Sequence, residues 1–171
     1  MTRKILVIED QENHIDDAMD FFNPEFCKVE GLEISYAKCY LETIQDRPDG
    51  YKMFTKLYDE ENGRSIKSKG DFNGVISDVY FPLGNDGRWG KYTDPIGLRI
   101  ALELEEAGVP FVLNTSLSHH GIRFEWMNGI RNDRGWILIE NARTIDEDAP
   151  KKNWESAYQK LKEFMDKKEC G

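Results

Sequence analysis

Lys4-Ile5-Leu6-Val7-Ile8-Glu9-Asp10 and Gly74-Val75-Ile76-Ser77-Asp78 are the two stretches that decide the fold. Each begins with a short, unalternated apolar run, the pattern of a strand buried on both faces of a parallel sheet. Each ends in acid. In an open parallel sheet the carboxyl ends of the strands face the crevice where ligands bind. Two neighbouring strands ending this way bring Glu9, Asp10 and Asp78 to one edge. That is a hard, oxygen-rich set suited to Mg²⁺, with an aspartate left to react.

Further elements alternate outward from these two. Ile15, Ala18, Met19 and Phe22 recur at helical spacing after the first strand, and Asn23-Pro24 ends that helix. Leu32 to Ala37 reads as a second strand. Tyr40, Leu41 and Ile44 begin a helical pattern, interrupted by Pro48-Asp49-Gly50 and resumed by Met53, Phe54, Leu57 and Tyr58. Asp59 to Asp71 is polar and reads as an exposed connection. After Asp78 comes an irregular, glycine-containing segment, then a helix announced by Asp94 as cap, Pro95 at its first position, and Ile100, Ala101 and Leu104 on its inner face. Gly108 and Pro110 close it. Phe111 to Asn114 is a fourth strand. Ile122, Trp126 and Ile130 predict a helix, and Trp136 to Ile139 a fifth strand. Trp154, Ala157, Tyr158, Leu161, Phe164 and Met165 form one stripe of a last helix. Right-handed crossovers turn this alternation into an α/β fold: a three-layer, doubly wound, five-stranded parallel sheet of order 2-1-3-4-5.

The chain has 171 residues and a formal net charge of −9, which gives no basic face for nucleic acid. Its three cysteines, Cys27, Cys39 and Cys170, are too few and too scattered for a disulfide framework or a zinc site. No apolar run approaches the length of a membrane span and no signal peptide precedes Ile5, so a cytoplasmic protein without a membrane partner is expected. His119-His120 reads as exposed loop rather than metal site.

In this arrangement the sequence resembles the receiver domains of two-component response regulators. The resemblance rests on Ile5 to Asp10, Val75 to Asp78, Pro82, Gly97 with its helix, and Pro110-Phe111-Val112-Leu113-Asn114-Thr115-Ser116. It implies one receiver-like domain over 1–171, flavodoxin-like in fold, with an extended connection near 59–73 and an inserted loop near 83–94. It implies that Asp78 is the phosphoacceptor and Thr115 the switch hydroxyl. Mg²⁺ would be held by Glu9, Asp10, Asp78 and the backbone carbonyl of Tyr80. The implied partners are a histidine kinase or phosphotransfer protein and a downstream protein, with a homodimer through the last helix and fifth strand as a further option.

Three features depart from the receiver pattern. Receivers carry a lysine at the end of strand five that pairs with the phosphoryl group, and here Ile139-Glu140-Asn141 stands at that place. Lys91, Arg88 and Arg143 are candidate substitute cations. The inserted loop holds Trp89 and Tyr92, which either cover the site or meet a partner. About fifty residues beyond a minimal receiver are spread through the connections. Two alternatives therefore stand beside a phosphorylated receiver. One is a pseudo-receiver that binds partners without phosphorylation. The other is a Mg²⁺-dependent phosphohydrolase on the same fold, against which Tyr80 counts because it stands where such enzymes carry a second aspartate.

Overall fold

A computed structural model describes residues 2–9, 11–46, 52–59, 64–65, 72–80, 97–116, 125–140 and 151–170. Five strands form the expected parallel sheet: β1 (Arg3–Glu9), β2 (Leu32–Asp46), β5 (Gly74–Ser77), β6 (Phe111–Thr115) and β7 (Leu138–Glu140). Their order, β2-β1-β5-β6-β7, is the doubly wound 2-1-3-4-5 order of a flavodoxin-like fold. Alternate residues of β1 divide the core. Leu6 and Ile8 face one cluster, with Leu98, Ile100 and Ala101 of α3 (Gly97–Glu106) and Met127 of α4 (Glu125–Arg134). Ile5 and Val7 face the other, with Ala18 of α1 (Glu12–Phe21) and Trp154, Ala157, Tyr158, Leu161 and Met165 of α5 (Trp154–Cys170). Both faces are covered, which is why the strands read as continuous apolar runs.

The helical pattern expected from Tyr40 to Tyr58 is replaced by strands. β2 continues eight residues past Lys38, its last partner on β1. It pairs antiparallel with β3 (Lys52–Asp59), which pairs with the two-residue β4 (Arg64–Ser65). The ribbon adds roughly 25 Å of strand beyond the carboxyl edge at 3.3 Å per residue. Its register sets Glu42 opposite Lys56 and Asp46 opposite Lys52. Apolar residues at 53, 54, 57 and 58 satisfy a helix template, but tyrosine, phenylalanine and threonine also suit strands, and the long-range pairing decides. The connection expected near 59–73 accordingly contains β4. The inserted loop near 83–94, with Asp94 and Pro95, lies outside the described residues.

Smaller differences follow from capping and burial. Asn23 ends α1 but also starts α2 (Pro24–Glu30): its side chain accepts from the Phe26 amide at 3.0 Å and Pro24 takes the first helical position. In α4, two of the residues that predict the helix face outward, Trp126 being 55% and Ile130 39% exposed, while Met127 is buried. The fifth strand begins two residues later than expected, and α5 runs to Cys170. The expected cap at Gly108 is present, with a φ of 65° that glycine adopts without strain.

Gly97 fixes how α3 meets the sheet. Its amide donates to the Val79 carbonyl at 2.8 Å, and a Cβ there would overlap the backbone of Asp78 and Val79. Gly97→Ala is therefore expected to destabilise the fold by about 2–3 kcal/mol in urea unfolding. Gly129→Ala, in the exposed middle of α4 with open space around it, is expected to stabilise by about 0.5–1 kcal/mol.

Candidate functional site

The carboxyl edge of the sheet brings together two of the three acids that the sequence placed there, Glu9 and Asp78. β1 ends in Glu9, and the Asp78 amide continues the β1–β5 ladder by donating to Ile8 O at 2.9 Å. Glu9 and Asp78 are buried, at 0% and 5% exposure. Asp78 Oδ1 accepts from the Val79 amide at 2.6 Å, and Glu9 Oε1 from the Gln11 amide at 3.1 Å. Asp10 lies outside the described residues. One strand further along, Thr115 is buried at the end of β6, with Glu140 as its cross-strand neighbour on β7. Tyr80 is buried too, its hydroxyl 3.8 Å from Met127 Sδ, so the segment after Asp78 packs directly against α4.

Among the described residues, the cation at Glu9 and Asp78 is Lys152. Its buried ammonium lies 3.0 Å from Asp78 Oδ2 and also donates to Glu9 Oε2. This corrects the expectation that Glu140 leaves the site without its lysine. β7 does end in Glu140, but the chain returns to the site after residues 141–150 and delivers Lys152 just before α5. Of the substitutes considered from sequence, Arg88, Lys91 and Arg143 lie outside the described residues. A local signal for Lys152 does exist: it immediately precedes Asn153, whose side chain accepts from the Ser156 amide at 2.9 Å and caps α5. Counting back from that cap, rather than forward from strand five, finds the lysine.

One ammonium shared by two carboxylates leaves an excess negative charge in a low-dielectric place. Burial pushes the Asp78 carboxyl up, Lys152 pulls it back and the Glu9 carboxylate adds to the rise, leaving it at about 6. Burial alone would lower the Lys152 ammonium, but Asp78 and Glu9 outweigh it and raise its pKa. The lysine is thus a fixed positive charge, while Asp78 is an unusually basic carboxylate that is still largely ionised at neutral pH. Two buried carboxylates are hard oxygen donors of the kind that divalent cations take, and in this structure both pair with Lys152. Among the described residues no cluster of three or more ligating side chains occurs.

Comparison with known protein families finds no match for this chain, and comparison with curated proteins finds none either. Among the described residues no helix is long and apolar enough to cross a membrane.

The raised Asp78 carboxyl sets a sign for pH dependence. The folded state holds this proton more tightly than the unfolded chain, whose aspartate titrates near 3.8. The group's contribution to stability is therefore greatest below that value and is lost as pH rises through about 6. Asp78→Asn is expected to unfold at higher urea than wild type at about pH 7.5, by about 2–3 kcal/mol. The advantage should shrink to nearly nothing by about pH 4. Lys152→Met strips both carboxylates of their counter-ion and is expected to cost about 3–5 kcal/mol at about pH 7.5, with Asp78→Asn in the same chain recovering much of it.

Proposed function

We propose that the protein is a receiver-like signalling module that accepts a phosphoryl group on Asp78 from a phosphohistidine of a histidine kinase or phosphotransfer protein, and passes the signal on through protein–protein contact. The observation that carries this reading is the Lys152 ammonium 3.0 Å from Asp78 Oδ2. It supplies a buried cation beside the proposed nucleophile, although strand five ends in Glu140. The raised Asp78 carboxyl supports the same role, since a carboxylate that is both ionised and basic is the better nucleophile.

In this reading an ionised Asp78 oxygen attacks phosphorus, the P–N bond to the donor imidazole breaks, and an acyl phosphate forms. Mg²⁺, when bound, neutralises charge on the phosphoryl oxygens. Lys152 offsets a second share of that charge and holds the aspartate in line. Thr115, buried one strand away, supplies a hydroxyl for a phosphoryl oxygen. Tyr80, packed on Met127, couples movement after Asp78 to α4, whose outer face carries Trp126 and Ile130. Water attack on the acyl phosphate would return the resting state.

One observation favours a second reading, the pseudo-receiver. Lys152 already engages both carboxylates, so an oxygen of each is taken before any ligand arrives. Intact-protein mass spectrometry after incubation with acetyl phosphate separates the two. A wild-type gain of one phosphoryl mass (about 80 Da), absent from Asp78→Asn and lost when Mg²⁺ is removed, is the outcome expected of a working receiver. No adduct on wild type, together with no response to beryllofluoride, would leave the pseudo-receiver.

A further inference from the structure

Lys152 is a cation at the unfavourable end of a helix. It immediately precedes the Asn153 cap of α5, where the aligned peptide dipoles present positive charge. Its side chain is fully buried, so bulk water does not solvate the ammonium. The Asp78 and Glu9 carboxylates account for two of its three donors. A further neighbour is aromatic: the ammonium stands over the Trp154 indole, 5.9 Å from the ring centroid. A cation within about 6 Å of an indole face is attracted by the ring quadrupole, most strongly when the cation is desolvated.

Trp154 is itself held in place. It is 5% exposed and packs in the core cluster that includes Ala157, Tyr158 and Leu161 of α5 and Val7 and Ile76 of the sheet. The acids thus hold the lysine from the strand ends, and the indole holds it from α5. The Trp154 Nε1 has no hydrogen-bond partner among the described residues. A phenylalanine would fill this core without burying that donor. What it would not match is the π face, which is strongest in tryptophan. An indole at the first residue of α5 therefore has a reason in the cation beside it. We propose that Trp154 is a positioning residue whose indole face holds the Lys152 ammonium on Asp78 and Glu9 against the dipole of α5, so that the cation is already in place for a phosphoryl group arriving at Asp78. The phosphoryl part rests on the receiver-like reading, whereas the hold on Lys152 does not.

The test follows the Lys152 side chain by NMR in the full chain, without added ligand, in wild type, Trp154→Phe and Trp154→Met. In wild type the Lys152 protons should lie upfield of their ordinary positions, as protons over an aromatic face do, and the ammonium protons should exchange slowly with water. Trp154→Phe keeps a weaker π face, and Trp154→Met fills much of the same space with none. Ammonium exchange should quicken roughly 10-fold in Trp154→Met and by less than about 3-fold in Trp154→Phe. Phosphoryl adduct formation from acetyl phosphate should slow in the same order. Thermal melts establish that each variant is folded, and the wild-type proton shifts decide the matter even if Trp154→Met is not. Equal exchange in the two variants, or wild-type Lys152 protons at their ordinary positions, would overturn the role of Trp154, because packing alone would then account for the ring. An adduct that forms at one rate in all three proteins would overturn its consequence for phosphoryl transfer. No adduct on wild type, with the proton shifts and the order of exchange as expected, would remove the receiver reading and leave the hold on Lys152 standing.

Discussion

A single buried ammonium between two carboxylates is the constraint on which the rest of the site depends. Lys152 ties together the ends of β1 and β5 and the start of α5, three elements far apart in sequence. It does not hold α5 in place by itself. That helix buries Trp154, Ala157, Tyr158, Leu161 and Met165 against the sheet, and each large apolar side chain so buried contributes about 1.5–3 kcal/mol. At the other end Arg3 pairs with Asp166 and Glu169, but those acids are about half exposed, and such pairs contribute about 0–1 kcal/mol. Packing therefore sets where α5 lies, and the position of α5 then presents Lys152 to the acids. Two buried carboxylates without it would be intolerable, so the lysine is a condition for having the acids there at all.

Much of this architecture was legible because it is local or periodic. Runs of β-branched residues mark the core strands, Gly108 marks the end of α3, and the stripe from Trp154 to Met165 marks α5. Strand order followed from chain connectivity. The failures share a cause, which is that a non-local partner settled the outcome. Tyr40 to Tyr58 carries a spacing that helix and strand templates both accept, and only pairing across the 47–51 connection makes it a ribbon. In α4, Trp126 and Ile130 make a convincing i, i+4 pair, yet the sheet lies on the side of Met127. Amphipathicity shows that a helix has an apolar stripe. It does not show which stripe the rest of the molecule will cover.

At the site Glu9 and Asp78 meet as the sequence places them, whereas the counter-charge comes from Lys152, which the sequence reading missed, and the reason is geometric. Glu9 and Asp78 sit at the ends of adjacent strands, so their meeting is dictated by sheet register. The lysine has no such tie to strand five. It needs only to enter the site from the end of α5 that lies over the carboxyl edge. A connection of ten or more residues between β7 and α5 changes the sequence distance without changing that end point, and the entropy of lengthening a loop grows only slowly. Residue spacing is thus a good guide where two groups share an element and a poor one where a loop intervenes.

The same freedom accounts for the ribbon. Between β2 and β5 a doubly wound fold needs only a right-handed route back to the sheet. What cannot change is the geometry at the carboxyl edge: the backbone contact of Gly97 with Val79, the ladder that carries Asp78, and a charge balance that leaves one carboxylate basic. The β5–α3 contact tolerates no Cβ, whereas the β2–β3 extension adds many residues without touching that contact. Tolerance is therefore concentrated in the connections, and intolerance in a handful of atoms around Asp78. A buried pair of acids and its lysine can then sit in a chain whose residue spacing hides them.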